Sequence, residues 1–225
     1  MRYFRQAQLS QVVFFSLFLF QELVLFLLRF LLFSHGIPRR SEIFEGYNFV
    51  HFKPMGIDLD KINSVLEIGC GLGFVSYSIA LQGKKVDVVE SSEWASKWMQ
   101  EAYGERPGFR VFFANIETID KSLLLDRYDF IFANHVWEHL INPMDMLEFC
   151  FNKLNSGGKM FLIVPDKERE KNMHHVHEWA YDMDCLKLWF DKAGFKNIVV
   201  GEWSGSKEEV EQLGGQHIRI VGEKP

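Results

Sequence analysis

Cysteine is scarce in this chain of 225 residues, and what there is lies scattered: Cys70, Cys150 and Cys185 form no C-x-x-C pair. That pattern excludes a disulfide framework and a cysteine-based zinc site, and it fits a reducing compartment. Positive charge is not in excess either. Lys and Arg total 25 against 30 Asp and Glu, a formal charge of -5 at pH 7. Without a basic field, no nucleic-acid partner is expected. The length suits one α/β domain with an appendage.

Phenylalanine is plentiful, with 22 copies, and the N-terminus holds a large share of them. From Val12 to Phe33, only Ser16, Gln21, Glu22 and Arg29 are not apolar in 22 residues. A helix of that length can cross a bilayer. Its apolar residues supply roughly -5 to -10 kcal/mol of insertion free energy, against up to about 3 each lost at Glu22 and Arg29. No small-residue cleavage site follows, which argues against a secretory signal. Gln11, Glu22 and Arg29 fall within about 20° of one another on a helical wheel, so one narrow stripe is polar. Membrane anchoring through residues 12–33 is the expectation. A helix packed on the following domain, or on a second copy in a homo-oligomer, is the alternative. Residues 34–61 then turn mixed, with Gly36, Pro38, Gly46, Pro54 and Gly56. In this linker, Tyr47, Phe49, Phe52 and Met55 are read either as cover for a ligand cleft or, more simply, as packing on the sheet.

The chain is organised around Val65 to Ser91. Val65, Leu66 and Ile68 suit a buried parallel strand. Gly69, Gly71 and Gly73 follow, with Cys70 and Leu72 between them, and Phe74 to Leu81 has helical spacing. Val86 to Val89 reads as a second strand, closed by Glu90, 21 residues after Gly69. Glycines let the backbone turn sharply and approach a ligand, while a carboxylate at the end of the second strand can accept from two ribose hydroxyls. A dinucleotide turn would be spaced G-x-G-x-x-G. The spacing is instead E-x-G-x-G-x-G, and it resembles motif I of the class I S-adenosylmethionine (SAM)-dependent methyltransferases. That resemblance implies SAM as cofactor, with Glu67 serving its cationic amino-acid end.

Further along, Tyr128-Asp129-Phe130-Ile131, Glu138-His139-Leu140 with Pro143, Leu154 with Ser156-Gly157-Gly158-Lys159, and Val164-Pro165-Asp166 resemble later segments of the same superfamily. The resemblance covers about residues 60 to 222 and includes the quinone-biosynthesis O-methyltransferases. It implies an α/β, Rossmann-like, seven-stranded and mostly parallel sheet with helices on both faces and an antiparallel last strand. To this the N-terminal hydrophobic helix is added. Three parts follow: residues 1–34 as that helix, 35–60 as linker and cap, and 61–225 as the SAM-dependent methyltransferase domain. Strands are expected near 109–114, 128–133, 160–164, 195–200 and 216–222. Helices are expected near 93–103, 143–154 and 182–193, with a turn at Ser156 to Lys159.

The cofactor set that the resemblance implies is Glu67, Gly69, Cys70, Gly71, Gly73, Glu90, Asn115, Ile116 and Asn134. Asn115 would bond the adenine edge and Ile116 cover its face, although Asn115 also reads as a helix cap. Methyl transfer needs alignment and a way to remove the acceptor's proton. Histidine titrates near neutrality, and His135 and His177 are the candidate bases. In some quinone enzymes a Glu-Glu-His set holds a divalent metal. Here only Glu138 and His139 match, so no metal is expected. The reading is methyl transfer to oxygen, or less readily nitrogen, of a small or lipid-linked acceptor, with the catalytic domain in the cytosol. A membrane-tethered SAM-binding interaction protein without turnover is the alternative, and a nicotinamide oxidoreductase is a distant third.

Overall fold

The computed structural model describes residues 51–167, 178–203 and 217–225, and the apolar segment 12–33 lies outside them. Seven strands form one sheet: β1 (Ser64–Ile68), β2 (Lys85–Glu90), β3 (Phe109–Phe113), β4 (Tyr128–Asn134), β5 (Leu154–Pro165), β6 (Lys196–Trp203) and β7 (His217–Glu223). Their order is β3-β2-β1-β4-β5-β7-β6. The first five are parallel, and β7 runs antiparallel to both β5 and β6. The expected seven-stranded, mostly parallel sheet is therefore present. Leaving β1, the chain goes first towards β2 and later to β4 on the other side. That reversal opens a crevice at the carboxyl ends of β1 and β4, where ligands bind in open α/β sheets.

Among the described residues four helices pack around the sheet: α1 (Phe74–Leu81), α2 (Glu93–Tyr103), α3 (Pro143–Lys153) and α4 (Met183–Lys192). Their starts follow from local chemistry. Ser92 Oγ accepts from the Ala95 amide at α2, and Asp182 accepts from the Cys185 amide at α4. Pro143 occupies the first turn of α3, where its missing N–H costs nothing. Alternation along the strands divides the core. Leu66, Ile131, Leu162 and Ile220 face one cluster, while Val65, Phe130, Phe132, Phe161 and Val221 face the other. Phe52 is fully buried against Phe130, Phe132 and Phe161, with ring centroids 5.3–5.5 Å apart. Phe52 and Met55 therefore pack into the core. Tyr47 and Phe49 lie outside the described residues.

One buried carboxylate ties three strands together. Asp87 on β2 receives both Arg110 donors from β3, at 2.7 and 2.6 Å, and the Tyr128 hydroxyl from β4 at 2.5 Å. The expected turn at Ser156 to Lys159 exists, but as a bulge inside β5. Two steps along β4, from Tyr128 to Phe130, match five along β5, from Leu154 to Lys159. Gly157 takes φ +75° and donates to the Lys224 carbonyl at 2.7 Å. The strand continues because this excursion pairs with the chain end, a partner remote in sequence. Among the described residues no helix is long and apolar enough to cross a membrane.

Gly222 shows how tightly the β7 face is packed. A Cβ there would meet Phe190 Cδ1 at 2.7 Å and Phe195 Cβ at 2.8 Å. Gly222→Ala is expected to lower stability by about 1–3 kcal/mol through overpacking. Chemical denaturation of the two proteins checks this, and equal midpoints would refute it.

Candidate active site

The glycine turn between β1 and α1 is left-handed at each of its three glycines: φ is +67° at Gly69, +55° at Gly71 and +64° at Gly73. Their surroundings differ. A Cβ at Gly69 would lie 2.3 Å from Val136 Cγ2, and one at Gly73 would lie 2.5 Å from Met99 Sδ. At Gly71 a Cβ would meet nothing within 4 Å. Gly69 and Gly73 are glycines because protein presses on them, whereas Gly71 opens on free space. Tyr103 steadies the turn by donating its hydroxyl to the Leu72 carbonyl at 2.8 Å. Gly73, the residue before α1, offers no side chain to cap that helix.

Two carboxylates flank this opening. Glu90 Oε2 accepts from the Gly71 amide and Oε1 from the Ser92 amide, both at 2.8 Å. Each oxygen keeps acceptor capacity for another donor. Glu67, 4% exposed, accepts from the Ser76 hydroxyl. Burial pushes its carboxyl up to about 7, a rise opposed by Ser76 and reinforced by the charge of Glu90. A cation arriving beside Glu67 would draw it back towards its charged form. Cys70 stands between the two: burial, Glu67 and Glu90 all push its thiol up, so it is no nucleophile.

Beyond β3, Asn115 spends its side-chain oxygen on the Glu117 amide at 2.7 Å, closing a turn where no helix begins. Ile116 is 5% exposed and belongs to the core. At the end of β4, Asn134 Oδ1 is buried and has no hydrogen-bond partner among the described residues. His135 follows with φ +55°, an uncommon backbone for a residue bearing a side chain. Its Nδ1 lies 3.2 Å from Oε1 of Glu138, which is only 1% exposed. A buried carboxylate at Nδ1 fixes the imidazole and leaves Nε2 for other work. The role of Glu138 was detectable in sequence as an acid three residues after a candidate histidine.

His177 lies outside the described residues. The chain resumes beside the same loop: Glu178 and Trp179 amides donate to the Glu138 carbonyl at 2.8 and 3.2 Å, and the Tyr181 hydroxyl donates to Trp137 O at 3.0 Å. His217, 4% exposed, packs its ring edge-on against His135 with centroids 4.5 Å apart. Sequence reading missed it. Its only signal was a position at the start of the antiparallel strand, which brings it to the crevice edge. Among the described residues no cluster of three or more His, Cys, Asp or Glu is arranged to hold a metal.

Comparison with known proteins agrees with this geometry. The tRNA U34 carboxymethyltransferase of Actinobacillus pleuropneumoniae serotype 3 is 25% identical over 180 residues, 73% of this chain and 54% of that protein. The ubiquinone biosynthesis O-methyltransferase of Pseudomonas savastanoi is 26% identical over 145 residues, 62% of this chain and 61% of that protein. The chain thus spans between about half and three fifths of the length of these curated relatives. In fold it is similar to phosphoethanolamine N-methyltransferase 2 of Haemonchus contortus, solved with phosphomonomethylethanolamine and S-adenosylhomocysteine. The TM-score is 0.65 at 14% identity, covering 80% of this chain and 52% of that one. The family described as methyltransferase domain matches residues 20–200. With that match over most of its length and the sheet order above, the chain belongs to the methyltransferase domain family of the class I SAM-dependent superfamily.

Proposed function

We propose that this chain transfers a methyl group from SAM to an oxygen, less readily a nitrogen, of a small or lipid-linked acceptor. One observation carries the reading: Glu67 and Glu90 flank a glycine turn whose middle glycine opens on free space. Glu90 suits the ribose hydroxyls. Asn134 Oδ1, buried and without a described partner, and Glu67 suit the ammonium end. Gly69, Cys70, Gly71 and Gly73 supply the backbone cradle, while Asn115 and Ile116 line the adenine end. When bound, SAM supplies a methyl group on a positively charged sulfur. His135 removes the acceptor's proton at Nε2 while Glu138 steadies the resulting imidazolium from the other side. His177 is the second candidate base. A chain that binds SAM as an interaction module, without turnover, is the competing reading.

Relatives include a protein named for tRNA, but the formal charge of -5 supports a small acceptor over a polyanion. For the apolar residues 12–33, the family match from residue 20 runs through most of the segment. Their composition supports a lipid anchor, with a helix packed on the following domain or on a second copy as the alternative. Membranes from cells expressing the full chain, washed in alkaline carbonate, decide between them. Retention in the pellet is expected, and protein in the supernatant would refute lipid anchoring and favour the packed helix.

Glu90→Ala and Gly71→Arg are each expected to weaken SAM and S-adenosylhomocysteine binding by at least about tenfold in calorimetry, the loss of charge-assisted hydrogen bonds or of the open space. Binding of NADH in place of SAM would overturn the assignment.

His135→Asn keeps a residue tolerant of the left-handed backbone but removes the base. Turnover of an identified acceptor should fall by roughly 10²-fold or more, with SAM affinity little changed. His177→Ala, measured beside it, ranks the two histidines. Wild-type rates in both would indicate a base elsewhere or an acceptor that ionises by itself.

A further inference from the structure

The exposed aromatic side chains are unevenly placed. Among the described residues, the exposed Phe and Trp rings are Trp94, Phe113 and Trp179. Each stands at or just past the carboxyl end of a strand. Trp94 lies in the first turn of α2 after β2, Phe113 closes β3, and Trp179 lies between β5 and α4. Ile141, 70% exposed, joins them in the loop after β4. All four therefore sit at the edge of the sheet where the crevice opens and where His135 follows β4. Leu81, Leu123, Leu188 and Val199 are exposed elsewhere, as individual aliphatic side chains commonly are.

Hydrogen bonds join the loops that carry these side chains. Glu117 accepts from the Ile141 and Asn142 amides at 3.2 and 2.8 Å, tying the segment after β3 to the loop after β4. The Trp179 indole donates to the Leu140 carbonyl at 2.8 Å, and the Trp179 amide to the Glu138 carbonyl at 3.2 Å. The polar atom of that indole is thus satisfied inside the loop, while its ring, edge-on to Trp189 at 5.9 Å, stays partly in solvent. Apolar surface gathered at one edge loses free energy to water that a partner would return.

Two observations choose that partner. Lys97 and Lys167 near this edge pair with Glu93 and Asp182, and Glu117 and Glu178 add negative charge, so a polyanion such as RNA is disfavoured. The same chain carries an apolar segment of bilayer length at residues 12–33. Tryptophan settles at the boundary between lipid and water, where its ring is apolar and its N–H is met. We propose that Trp94, Phe113, Ile141 and Trp179 form a surface that seats on a lipid bilayer, so that the acceptor reaches His135 from the membrane. The proposal rests on the methyl-transfer reading for the acceptor, which it narrows to a lipid-borne one. For the surface it rests on the exposed side chains.

The test mixes the full chain with phosphatidylcholine vesicles whose acyl chains carry bromine, a short-range quencher of indole emission, beside vesicles without it. All six tryptophans lie between residues 94 and 203 and none in segment 12–33, so quenching reports on the domain rather than on the segment. Saturable quenching is expected. Ile141→Glu should shift the ratio of seated to free domain at least about tenfold towards free, because an apolar side chain leaves lipid and a carboxylate resists entering it. Phe113→Ser should act in the same direction. S-adenosylhomocysteine should bind wild type and Ile141→Glu alike in calorimetry, which also reports that both are folded. Absence of quenching, or equal quenching in wild type and both variants, overturns the surface. A dimer in detergent that Ile141→Glu breaks would give this face to a second copy and overturn it as well. Quenching without any S-adenosylhomocysteine binding would uphold the surface and overturn the methyl-transfer reading instead.

Discussion

The crevice depends on one steric constraint, the contact between Val136 and the bare Cα of Gly69. β1 and β4 are neighbours in the sheet, so the segments leaving them compete for the same space. With no Cβ at residue 69, Val136 can lie directly over the turn. His135 reaches that position through a left-handed backbone, stabilised by donation from its amide to the Ile163 carbonyl at 2.9 Å. The next residues inherit the placement. Trp137, Glu138 and Leu140 offer their carbonyls to Tyr181, to Glu178 and Trp179, and to the Trp179 indole. A single missing methyl thereby links the turn of β1, the histidine of β4 and the chain that passes beside it.

The two halves of the edge differ in charge. Over β1 and β2 stand Glu67 and Glu90, and over β5 and β7 stand His217 and Arg219 with His51. The His135–Glu138 pair sits where the halves meet. The acidic half suits a ligand carrying a cationic sulfur and ammonium, because it lowers the cost of desolvating those charges.

Much of the fold was legible because its signals are local. The apolar run Val65–Ile68, the glycines after it and the acid at Glu90 lie on consecutive elements, and the expected bounds of α1 and α2 match those observed. Caps at Ser92 and Asp182 mark helix starts without any tertiary information. What sequence reading missed depends on partners distant in the chain. Ser156 to Lys159 looks like a turn until its pairing with Lys224 is known. His217 and Arg219 carry no motif. Only the reversed direction of β7 brings them to the crevice, and strand direction is a property of the sheet.

Cys70 bears on how the turn would withstand chemical stress. Thiols are oxidised or alkylated as thiolates, and here burial and two neighbouring carboxylates keep the sulfur protonated. Its Sγ lies 3.5 Å from Met99 Sδ, the same sulfur that presses on Gly73. Peroxide or an electrophile would therefore find no activated sulfur at Cys70. The acidity that suits this turn to a cationic ligand also protects it from covalent damage.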